Sequence, residues 1–108
     1  MSFVSLNPAT GRRLATHRAH TRRQVETILD TAQAAFLDWR AVSLPRRAQW
    51  LRALARELRR QSDELAALLT AEMGKPIRQS RAEIEKCARV CDYYAREGAA
   101  QLKSKHPA

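Results

Sequence analysis

The sequence predicts a mainly α-helical chain, with a short N-terminal β-hairpin followed by about four helices. Two observations carry this. Apolar residues recur at three- and four-residue spacing across residues 21 to 102, which is the periodicity of one helix face. The recurring segments are separated by single punctuating residues, chiefly Ser43 with Pro45, Gly74 and Pro76. With 108 residues the chain is one domain at most. Its expected divisions are a β-hairpin and link at 1–20, a helical part at 21–102 and a tail at 103–108.

The hairpin expectation rests on Phe3 to Leu6, where apolar and polar residues alternate, and on "RRLATH" after the turn sequence "NPATG". A lone hairpin is marginal in water, so this one must lie on something. Thr21 and Gln24 fit a capping box at the start of the first helix. Val25, Ile28, Leu29, Ala32, Phe36 and Trp39 then form one apolar stripe.

Ser43 and Pro45 occupy cap and first-turn positions of the second helix. Its apolar face is Trp50, Leu51, Leu54, Ala55 and Leu58, and six arginines between Arg46 and Arg60 cover much of the rest. Ser62 is placed to cap the third helix, with Asp63 and Glu64 near its positive end. Leu65, Leu68, Leu69 and Met73 are its apolar residues, and Gly74 suits a left-handed stop. Pro76 opens the fourth helix, whose stripe of Ile77, Ile84, Cys87, Ala88, Cys91, Tyr94 and Ala95 runs to about Leu102. Pro107 blocks helical continuation in the tail.

The formal net charge is +9, from 16 arginines and 4 lysines against 11 acids. Such a balance raises an acidic partner or nucleic acid. The basic residues are spread over every segment, however, with no run of five like charges, so solvated helix faces account for them better. Cys87 and Cys91 lie four apart, without a His at zinc-ligand spacing. They read as small buried hydrophobes in a reducing cytoplasm. The N-terminus lacks the pattern of a signal peptide, and no apolar run is long enough to span a membrane.

Catalytic chemistry needs a nucleophile with a base, a metal cluster or a phosphate cradle. His17, His20 and His106 have no carboxylate beside them and read as surface histidines. Glu83 and Glu85 fit ion pairing on an arginine-rich helix better than acid–base work. With three isolated glycines there is no glycine-rich phosphate loop.

Three stretches taken together give a more specific reading: "NPATG" at 7 to 11, "EMGKPI" at 72 to 77 and "CDYYAREG" at 91 to 98. In this order and spacing, with "AAFLDWR" between them, they resemble the N-terminal region of aldehyde dehydrogenases, nearest the succinate-semialdehyde branch. The resemblance covers residues 3 to about 102. It implies that the chain is a fragment of the α/β cofactor-binding domain of that fold, in an enzyme that oxidises an aldehyde to a carboxylic acid with NAD or NADP. In the family an activated Cys attacks the aldehyde, an Asn side chain holds the oxyanion and a Glu activates water. All three lie C-terminal to the matched region. Cys87 and Cys91 do not follow the Gly-Gln that precedes the family's nucleophile, and the family's cofactor lysine is not Lys75. No catalytic or cofactor-binding residue carries over, and no cofactor is expected for this chain alone.

One binding role does carry over from the resemblance. Some members hold a structural monovalent cation at positions matching Ser5, Leu6 and Glu72. Backbone carbonyls with one carboxylate suit a hard cation. The expected partners are the remainder of a homo-oligomeric enzyme, or other copies meeting through exposed apolar helix faces. The alternative is an independent basic helical module that binds nucleic acid through Arg46 to Arg60. It lacks a recognition-helix pattern and an aromatic stacking platform.

Overall fold

A computed structural model describes residues 1–103. The expectations for Pro107, His106 and the rest of the tail beyond 103 lie outside the described residues. The architecture is the one expected, a two-stranded hairpin followed by four helices. The chain divides into two compact units: Met1–Val42 with Ala71–Gly74, and Ser43–Thr70 with the chain from Lys75 onward.

In the first unit, β1 (Ser2–Leu6) pairs antiparallel with β2 (Arg13–Arg18). Asn7 builds the connection. Its side-chain Oδ1 accepts from the backbone N–H of Ala9 at 2.9 Å, and its carbonyl accepts from Gly11 at 2.8 Å. This is the use of Asn that turns favour. Gly11 closes the turn with φ 70°. The register slips between Ser5 and Leu6, so that Ser5 faces Ala15 and Leu6 faces Arg13. Ser5 and Ala15 are the two half-buried strand residues.

The helix α1 (Arg22–Arg40) starts as its capping box dictates. Thr21 Oγ1 accepts from the Gln24 N–H at 3.3 Å, and Gln24 Oε1 accepts from the Thr21 N–H at 2.8 Å. Its apolar stripe forms too, but no residue of the helix is buried. Leu29 is 62% exposed and Phe36 54%.

In the second unit, α2 (Leu44–Arg60) begins after an extended Ser43, with Pro45 in the first turn. Ser43 makes no side-chain cap bond; its carbonyl accepts from the Arg47 N–H at 3.0 Å. The next helix, α3 (Ser62–Met73), follows after one residue. Here the structure departs from expectation, because Ser62 is the first helical residue and not the cap. Gln61 ends α2 by donating to the Glu57 carbonyl at 3.0 Å, and its own carbonyl accepts from Leu65 at 2.9 Å. With the two helices abutting, a serine cap between them has no room. The last helix, α4 (Ile77–Gln101), begins directly after Pro76.

Packing in this unit runs between α2 and α4. Among the described residues the buried set is Ala55, Ala66, Ala88, Ala95 and Ser80. Small residues at the contact let helices approach closely. They also leave the larger side chains of the stripe outside it. Trp50 and Leu54, expected on the inner face of α2, are 58% and 48% exposed. Cys87 and Cys91 depart from expectation for the same reason: Cys87 is exposed and Cys91 half-buried. Ser80, fully buried, shares a 2.8 Å hydrogen bond with Thr70 Oγ1, which satisfies its hydroxyl and ties α3 to α4.

Arg59 joins α2 to α4 from outside. Its guanidinium donates to Glu85 at 3.1 and 3.2 Å and to Asp92 at 2.8 Å. The bonds from Arg59 hold the Glu85 carboxyl below the usual carboxylate range and push the Arg59 pKa up. At the end of α2, hydrogen bonds from Arg60 and then Gln61 lower the Glu57 pKa to about 2. All these groups face solvent, so they orient the helices more than they stabilise them.

Candidate functional site

Of the residues expected at the site, Ser5, Leu6 and Glu72, the structure brings Ser5 and Glu72 together within the first unit. Ser5 projects from β1 where the register slips, and Glu72 sits in the last turn of α3. Ser5 Oγ donates to Glu72 Oε1 at 2.8 Å across a sequence separation of 67 residues. Leu6 follows Ser5 in the strand; its side chain is apolar, so only its backbone carbonyl suits a ligand role. The end of α3 adds carbonyls that have no intrahelical donor. Gly74 then turns the chain out of the helix with φ 73°. A Cβ on Gly74 would lie 2.8 Å from Pro8 Cγ, so the helix end and the "NPATG" turn press directly together.

The pair brought together is one carboxylate and one hydroxyl, with the Leu6 carbonyl next in the chain to Ser5. Its single formal charge and oxygen ligands fit a hard monovalent cation. Catalytic groups are a different matter. Among the described residues, no three His, Cys, Asp or Glu side chains gather where they could hold a metal ion. His17, inside β2, and His20, on the link to α1, are both exposed. Lys75 is ion-paired with Glu83, which fixes it at the entry to α4. Gly11, Gly74 and Gly98 are scattered over turn, helix stop and helix and form no glycine-rich phosphate loop among the described residues.

Sequence reasoning missed the bridge from Arg59 to α4. The available signal was the i, i+7 placement of Glu85 and Asp92 on one face of α4; their partner lies 26 and 33 residues away.

A family model for the aldehyde dehydrogenase family matches residues 1–107. The chain belongs to the aldehyde dehydrogenase family. Among aldehyde dehydrogenase relatives, it is 44% identical over 102 residues to a succinate semialdehyde dehydrogenase (NAD(P)+) of Escherichia coli K12. That match covers 94% of this chain and 22% of the relative. It is 39% identical over 108 residues to succinate-semialdehyde dehydrogenase (NADP+) 1 of Mycobacterium tuberculosis H37Rv, covering 100% of this chain and 23% of that one. Its structure superimposes with TM-score 0.90 and 29% identity on succinic semialdehyde dehydrogenase from Streptococcus pyogenes, solved with NADP+ as the cofactor. The superposition covers 98% of this chain and 24% of that one. The chain thus spans about a fifth to a quarter of the length of the aldehyde dehydrogenases it matches, and corresponds to their N-terminal region. The nucleic-acid alternative finds no support among these relatives. Among the described residues, no helix is long and apolar enough to cross a membrane.

Proposed function

We propose that this chain is the N-terminal portion of an NAD(P)-dependent succinate-semialdehyde dehydrogenase and is inactive without the remainder. Residues 21–102 are then the helical part of an incomplete cofactor-binding domain, and the cofactor is held by the remainder. The observation that carries this is the combination of a TM-score of 0.90 with an interior built of alanines. Helices of the right shape present their large apolar side chains outward, as they would toward a sheet supplied by the rest of an enzyme. The complete enzyme is a homo-oligomer working in the cytoplasm, where both cysteines stay as free thiols.

The test has two arms. The purified chain, given succinate semialdehyde with NAD+ or NADP+, is expected to produce no NADH or NADPH. A chimera in which it replaces the matching first fifth of the E. coli relative is expected to keep activity within about tenfold, since no catalytic group is exchanged. Turnover by the chain alone would overturn the proposal, as would a folded chimera of native assembly that does not turn over.

We propose also that Ser5, Leu6 and Glu72 hold a structural monovalent cation. The 2.8 Å hydrogen bond from Ser5 Oγ to Glu72 Oε1 supports it, because it sets a hydroxyl and a carboxylate oxygen side by side from positions 67 residues apart. In the chimera, replacing choline by Na+ or K+ at constant ionic strength is expected to raise the temperature of half-inactivation. Glu72→Gln is expected to abolish that rise. An equal rise in the variant would exclude Glu72 as a ligand.

A further inference from the structure

Cys87 and Cys91 serve none of the roles described so far. Both are free thiols lining one groove between α2 and α4, with Leu54, Leu58 and Val90 as its apolar lining and Glu83, Lys86 and Arg89 as its charged lining. Four residues apart on α4, they share a face.

That spacing decides what the pair can do. Cβ atoms at i and i+4 of a helix lie about 5–6 Å apart. A disulfide needs them about 3.5–4.5 Å apart. The intact helix therefore keeps the two thiols from closing on each other. A bridging metal has a longer reach, since two metal–sulfur bonds of about 2.3 Å separate the sulfurs by up to about 4.6 Å. We infer that Cys87 and Cys91 form a two-coordinate binding site for a soft monovalent metal ion, Cu(I) in particular.

Three features favour that ion. Thiolates select soft metals. Among the described residues no group of three His, Cys, Asp or Glu side chains is placed to hold a metal ion, and Glu83, which lines the same groove, is ion-paired with Lys75, so the four-ligand shell of a structural zinc is not assembled. Binding also balances in charge and protons: two thiols release two protons, and two thiolates with one Cu(I) leave a complex of charge −1, with no change of oxidation state. The ammonium of Lys86 and the guanidinium of Arg89, which line the same groove, offset that charge.

The experiment is an anaerobic titration of the 108-residue chain with Cu(I), supplied as its acetonitrile complex and competed with bathocuproine disulfonate. One Cu(I) per chain is expected, with two protons released for each ion bound. Cys87→Ser and Cys91→Ser are each expected to weaken binding about tenfold or more, with unchanged helical circular dichroism because neither side chain is fully buried. Parental affinity in either single variant would overturn the site, since one thiol would then suffice. Release of one proton for each ion bound would overturn it equally. None of these results bears on the aldehyde dehydrogenase reading, which the activity test decides separately.

Discussion

The purified 108-residue chain is expected to show strong helical circular dichroism, no cooperative thermal melt and a solution mass well above 12.3 kDa. The reason lies in what its helices bury. On α1 alone, Val25, Ile28, Leu29, Phe36, Leu37 and Trp39 are between 44% and 62% exposed. Fully burying such a side chain stabilises by about 1.5–3 kcal/mol, so half-exposure forfeits about 1 kcal/mol at each. Over six residues this is several kcal/mol, comparable with the roughly 5–15 kcal/mol that holds an ordinary domain together. Local signals, the capping box above all, keep the helix forming. The missing burial removes the cooperative core and leaves an apolar face that other copies will cover. Replacing both Leu29 and Phe36 by Glu, seven residues apart on that face, is expected to shift the chain toward monomer with helicity retained. Analytical ultracentrifugation with circular dichroism reads both quantities. A sharp two-state melt of a soluble monomeric parent chain would refute the expectation.

Gly74→Ala is expected to be the most damaging of the three glycine-to-alanine replacements, measured as half-inactivation temperature in the chimera. Two costs fall together at this position. The backbone is left-handed, with φ 73°, which costs a residue with a Cβ about 1–2 kcal/mol. The new Cβ would also stand 2.8 Å from Pro8 Cγ, closer than any real contact, and relieving that means moving the turn off the helix end. Overpacking of this kind adds about 1–3 kcal/mol. Gly11 has a similar φ of 70° but open space around its missing Cβ, so Gly11→Ala should carry the conformational cost alone. Gly98 lies inside α4 with nothing within 4 Å, so Gly98→Ala should gain up to about 1 kcal/mol from helix propensity. The expected order of stability is Gly98→Ala, parent, Gly11→Ala, Gly74→Ala. If Gly74→Ala matched Gly11→Ala, the contact with Pro8 would have no energetic weight.

What the sequence by itself determined is local. Thr21 with Gln24, Pro45 in the first turn of α2, Gly74 as a left-handed stop and Pro76 before α4 each act within a few residues, and each stands where the spacing predicted. Ser62 missed by one position because a cap needs a non-helical residue, and Gln61 had already taken that place between abutting helices. The position of Glu72 as a candidate ligand came from the family resemblance, since nothing in the periodicity distinguishes it from other helix-end acids.

The tertiary structure decided everything that depends on distant residues meeting. It brought Ser5 to within 2.8 Å of Glu72, placed Glu85 and Asp92 around Arg59, and set Pro8 against Gly74. It also decided which half of each apolar stripe is used. Periodicity marks a face as apolar, but burial requires a second surface, and in this chain α2 and α4 meet through alanines. Trp50, Leu54 and Cys87 therefore stay accessible although their spacing is that of a core. A stripe is written in one segment of chain; its partner is supplied only by the fold.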